Sequence, residues 1–158
     1  MKYLTHILAL SASAHLSIAL SPRAIRALQI DGFVAQGFQG MDGDKHLSLV
    51  GYSITLQAGE GNAWCWPWAD VPDFSISDIP TTVCQADHTV KWSFIKTADS
   101  NYNFTVSWQY TGHGHLTGSY LVPSEQVQCV TGPLGQAGQD YVGPTSFSID
   151  TVDVFGSW

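Results

Sequence analysis

Charge is scarce in this chain. Of 158 residues only 12% are Asp, Glu, Lys or Arg, and just six of them are basic. So few basic residues leave no electrostatic footprint for nucleic acid or for anionic lipid. Long apolar runs are missing too. Beyond the first twenty residues no segment approaches the roughly 18 apolar residues of a spanning helix, so no membrane partner is expected. No sustained 3.6-residue apolar stripe with caps appears in the same region, which argues against a helical fold. The chain has no G-x-S-x-G and no H-E-x-x-H, which excludes a nucleophile elbow and a helical zinc pair. The glycine-rich piece 132–139 lacks the strand–loop–helix setting and the Lys of a phosphate cradle, and reads as a long exposed loop. No enzymatic activity and no cofactor are expected from these motifs. Paired carboxylates leave no linear signature, so a small secreted hydrolase stays as a third reading.

What is present begins with an N-terminal address. Lys2 is followed by an apolar run from Leu4 to Leu20 that stops at Ser21, Pro22 and Arg23. A basic residue, an apolar stretch and small residues at a cut form the pattern of a secretory signal. The expected signal is 1–19, cut after Ala19, and the expected product is secreted and extracellular. Residues 20–158 then form a single domain with five basic residues against thirteen acidic ones, a formal charge of −8. About 140 residues suffice for one domain with its own core.

Alternation with a period of two dominates that domain. NFTVSWQY, residues 103–110, puts Phe104, Val106, Trp108 and Tyr110 on one face. TVKWSFI, residues 89–95, does the same with Val90, Trp92 and Phe94. KTADSN between them is a loop of turn formers, so the pair reads as a hairpin. Further strands are expected at 31–39, 48–56, 73–77, 116–122, 126–130 and 146–155, separated by MDGD, QAGEGN, TGHG and TGPLGQAGQ. Many short strands at such spacing imply an all-β fold, a compact antiparallel barrel or sandwich.

Three cysteines remain, Cys65, Cys84 and Cys129. In an exported chain one pair oxidises and one thiol is left over. Cys65 and Cys84, both at strand edges in the middle of the chain, are the expected bridge. Cys129 is then either buried and inert or open to an intermolecular bridge.

The stretch AWCWPWAD, residues 63–70, surrounds Cys65 with Trp64, Trp66 and Trp68. In an extended chain the three indoles project from one face and Cys65 from the other. Pro67 confines the piece to an edge or a strand end. Two readings stand: an aromatic platform for a ligand, or indoles that close the barrel end over the bridge. His113 and His115 in TGHGHL are two apart; the flanking glycines favour a turn with both imidazoles exposed over a metal half-site, and no metal is assigned. Asn103-Phe104-Thr105 is an N-glycosylation sequon beside a loop.

Several motifs share their order with a known family. These are FVAQGF (33–38), YSITL (52–56), CQADHTVKWSF (84–94), LTGSYLVPSEQV (116–127) and YVGPTSFSID (141–150). In this order they resemble the Alternaria major-allergen-like family of small secreted fungal β-barrel proteins, over residues 31–150. The resemblance implies an exported antiparallel barrel and matches Cys65 and Cys84 to the family's first bridged pair. It implies a non-enzymatic effector, elicitor or allergen, with host (plant) defence proteins or small aromatic compounds as partners. It carries over no catalytic residue. The family's N-terminal dimer cysteine has no counterpart here, and Cys129 lacks the partner of a second bridge. The alternative reading is a secreted carbohydrate-binding module using Trp64, Trp66 and Trp68.

Overall fold

Alternation of apolar and polar side chains is what the chain's strands are built on. A computed structural model describes residues 26–39, 46–56, 62–131, 135 and 137–156, apart from the side chains of Arg26 and Trp68. The expected signal at 1–19 lies outside the described residues. The strands are β1 (Arg26–Gln39), β2 (His46–Thr55), β3 (Ala63–Cys65), β4 (Trp68–Val71), β5 (Ile79–Val83), β6 (Val90–Lys96), β7 (Tyr102–Gln109), β8 (Gly114–Val122), β9 (Val127–Thr131), β10 (Ala137–Tyr141) and β11 (Phe147–Phe155). A 3-10 turn, Ser124–Gln126, precedes β9. Among the described residues no helix is long and apolar enough to cross a membrane.

All strand pairings among the described residues are antiparallel. The sheet runs β3-β2-β1-β11-β8-β7-β6-β5, with β4 beside β2 and the β9–β10 hairpin on β1. Strand β1 is the hinge of this arrangement. Its first half pairs with β11, and Gln36 and Gly37 pair with β10. The change falls at a bulge between Asp31 and Val34, where Gly32 takes φ +61 and Phe33 N–H donates to the Thr145 carbonyl at 2.8 Å. Glycine adopts that left-handed conformation without a Cβ penalty, and the bulge bends the strand.

The sheet curls into a half-barrel around one apolar cluster. Phe33 packs on Phe104 at 5.1 Å between ring centroids, and Tyr52 packs edge-on against Phe104 and Trp92 at 4.9 and 5.1 Å. Edge-to-face pairs of this kind add about 0.5–1.5 kcal/mol each beyond area burial. The two ends of the sheet path, β3 and β5, are joined covalently. Cys65 ends β3, Cys84 follows β5, and their sulfurs are bonded with the Cα atoms 4.8 Å apart. The all-β, disulfide-stabilised fold read from the sequence is therefore the fold observed.

Some expectations are corrected. Residues 73–77 are not a strand. Asp73 accepts the Ser75 N–H at 2.8 Å, and this local bond offers the backbone a turn in place of a ladder. Strand order in this region is carried instead by β4 and β5. The glycine-rich loop is shorter than expected, because Ala137–Tyr141 pairs with β9 and forms β10. His113 sits exposed in its turn, but Gly114 opens β8 and puts His115 on the strand, half-buried opposite Gln109. Cys129 is exposed on β9, which rules out the buried alternative.

Candidate ligand-binding groove

Strand β3 is only three residues long and lies along β2, with Tyr52 opposite Cys65 and Ser53 opposite Trp64. Strand β4 continues along the same edge of β2, with Leu49 opposite Trp68. Trp66 and Pro67 form the break between them, as the missing N–H of proline requires. The pleat does the rest. Cys65 faces inward and is fully buried, while Trp64 and Trp66 face outward with 50% and 43% of their surface exposed. The alternative of indoles packed away over the bridge does not describe these two. Trp68 lies on β4, and its side chain is outside the described residues.

Each exposed tryptophan is seated on a glycine. A Cβ on Gly32 would lie 3.4 Å from Cη2 of Trp64. One on Gly51 would lie 3.4 Å from the Trp66 Cβ and 3.5 Å from Val34 Cγ1. Between the tryptophans opens a groove of about 290 Å³ lined by Val34, Leu49, Gly51, Trp64 and Trp66. The lining side chains offer no titratable group and no polar atom except the two indole N–H groups. One pleat along from Gly51 on the same face, the Ser53 hydroxyl is buried without a hydrogen-bond partner among the described residues.

The loop after β5 fixes the groove wall from behind. Trp66 N–H donates to Gln85 Oε1 at 3.1 Å, and the Cys84 sulfur lies 3.3 Å from the Trp64 carbonyl oxygen. The bridge thus holds the backbone that carries both indoles. Spacing in the sequence found Trp64, Trp66 and Cys65. It missed Val34, Leu49 and Gly51, which arrive from β1 and β2 only through strand pairing.

Other singled-out residues lie elsewhere. Asn103 is on β7, with its amide donating to Thr105 Oγ1 at 3.3 Å. Among the described residues no three metal-ligating side chains gather. Burial pushes the Tyr52 phenol well above its ordinary range. Hydrogen bonds from Ser75 hold the exposed Asp73 carboxyl below its usual value. None of these groups lines the groove. No protein-family model, curated protein or solved structure matches the chain.

Proposed function

We propose that this is a secreted, non-enzymatic binding protein of the fungal effector or allergen-like kind, and that its ligand lies in the groove between Trp64 and Trp66. The observation that carries the reading is the pair of exposed indoles flanking a groove with a glycine floor. Large apolar side chains left in water at a concave site mark a binding surface. A disulfide-bonded all-β chain is compatible with an extracellular location.

The ligand class follows from the lining. Four side chains over a glycine floor, offering only indole N–H donors, suit a small, flat, uncharged aromatic compound, held by stacking and by exclusion of water. A volume of about 290 Å³ suits one ring system of modest size. A plant defence protein presenting an aromatic side chain fits the same chemistry. The second reading, a carbohydrate-binding module, is favoured by the exposure of Trp64 and Trp66, on which a sugar ring can also stack. It is the weaker of the two, because a sugar needs hydrogen-bond partners that the five lining residues supply sparsely.

The test is fluorescence titration of the purified protein with a planar polyphenol and, separately, with soluble chitin and β-glucan oligosaccharides. Saturable quenching by the polyphenol, lost in both Trp64→Ala and Trp66→Ala, is the expected result. Saturable quenching by an oligosaccharide alone moves the assignment to the carbohydrate module. No response to any of them removes the groove from the reading.

A further inference from the structure

The outer face of β6, β7 and β8 is hydroxyl-rich, and its cross-strand rows can be read off the register. Lys91, Ser107 and Thr117 form one row, and Ser93, Thr105 and Ser119 the next. Side chains in these rows bond each other, Ser107 with Thr117 at 2.6 Å and Thr105 with Ser119 at 3.0 Å. The third row is different. It is Ile95, Asn103 and Leu121. Ile95 is 36% and Leu121 54% exposed, and the asparagine between them is half-buried on the same outward face. Single apolar residues scattered over a surface are ordinary. Two that share one cross-strand row with the asparagine of a glycosylation sequon are a specific arrangement. Neighbouring strands are about 4.8 Å apart, so the two aliphatic side chains stand one strand spacing to either side of the amide. The two are thus about 9.6 Å apart with the amide between them, a span that one hexopyranose covers with its ring and substituents together, and its C–H face packs well on aliphatic groups.

We propose that Asn103 carries an N-linked glycan whose first sugar lies over Ile95 and Leu121 and takes the place of a protein neighbour for them. The covalent step is the ordinary one of the secretory route. The Asn103 amide nitrogen forms a bond to C1 of a lipid-diphosphate-linked oligosaccharide. The C1–O bond breaks, the lipid diphosphate leaves with the electron pair, and the amide gives up one proton. No oxidant or reductant is involved. The position of Asn103 inside a central strand is no obstacle, because the sequon is modified on the extended chain before β7 pairs with β6 and β8. The inference depends on export and is independent of the groove.

The experiment secretes the full chain from a eukaryotic host, alongside a control protein whose sequon that host occupies. Intact mass is compared before and after two enzymes, one leaving a single N-acetylglucosamine and one removing the whole glycan. Hydroxyl-radical footprinting then reads oxidation at Ile95 and Leu121, with exposed Val152 on β11 as internal reference. The expected result is a glycan mass absent from Asn103→Gln. Oxidation at Ile95 and Leu121 stays low with one sugar left and rises severalfold when none is left, while Val152 is unchanged. Thr105→Ala removes the same glycan with Asn103 retained, should Asn103→Gln be poorly secreted. Absence of a glycan mass while the control is occupied overturns the proposal. So does a footprint that full deglycosylation leaves unchanged.

Discussion

Gly51 decides whether there is a groove at all. Its missing side chain is the floor between Trp66 and Val34, and the nearest atoms lie at ordinary contact distance from where a Cβ would sit. Gly51→Ala is therefore expected to fold, with stability within about 1 kcal/mol of the parent. Gly51→Leu puts four carbons into the space a ligand needs and is expected to weaken polyphenol quenching at least about tenfold, roughly 1.4 kcal/mol. Gly37 is the contrast. A Cβ there runs into the carbonyl oxygens of Phe74 and Ser75, so backbone must move. Gly37→Ala is expected to cost about 1–3 kcal/mol in a denaturant titration, with no specific effect on the groove. A result in which the two glycines exchange these behaviours refutes the assignment of the floor. At this scale the sequence is informative about parity and silent about partners. The two-residue spacing placed Trp64 and Trp66 on one face and Cys65 on the other. Which glycine lies beneath which indole depends on β1 and β2, many residues away.

Among the elements, the long alternating strands were legible and so was the short β9, whereas β3, β4, β5 and β10 were not. Strands β6 and β7 show four or more alternations each, and burial follows the sequence residue by residue along β7 and along β6 as far as Phe94, after which Ile95 is apolar but exposed. Strands β3, β4 and β5 are three to five residues long, and prolines fall between or within them. They exist because β2 and β6 offer edges to pair with, a cause that lies outside their own sequence. The bridge pairing was legible, but its architectural role was not. Cys65 and Cys84 tie the two ends of the sheet path, where no run of ladder bonds between β3 and β5 is seen. Replacing both by Ser is expected to cost about 3 kcal/mol in the chain-entropy model for a separation of 19 residues, or about 10 °C in melting temperature. The larger effect falls on the groove. Strand β3 keeps only three register pairs with β2 once the bridge is gone. Polyphenol quenching, measured well below the lowered melting point, is expected to be lost while the far-UV β signal remains. Quenching that survives in the double variant would mean that β2 alone positions the indoles.

For the molecule as a whole, alkaline pH tests the burial pattern through the tyrosines. Burial raises the phenols of Tyr52 and Tyr102, and for Tyr102 the carboxylates of Asp78 and Asp73 add to it. Burial, with Tyr120 beside it, pushes Tyr141 up to about 12. Two of these phenols also donate hydrogen bonds that a phenolate cannot make, Tyr102 to the Ile76 carbonyl at 3.3 Å and Tyr141 to the Pro144 carbonyl at 2.8 Å. In the unfolded chain all three ionise near 10. Above that pH the unfolded state holds fewer protons than the folded one, so the slope of unfolding free energy with pH is negative. The contribution of these phenols is complete below pH 10 and is lost as pH rises through the folded values. Melting temperature is therefore expected to fall steadily between about pH 10 and 12, while the phenolate absorbance of the folded protein lags behind that of the denatured chain. Tyr141→Phe keeps the ring against Phe33 and removes the ionisation, so it is expected to flatten part of that fall. Its effect is less than the full shift implies, because the Tyr141 phenol is partly open to solvent. A melting temperature that is flat across this window, with all tyrosines titrating together near 10, would contradict the packing of Tyr52 against Trp92 and of Tyr141 against Phe33. Those contacts join β2, β6, β1 and β10 into one core.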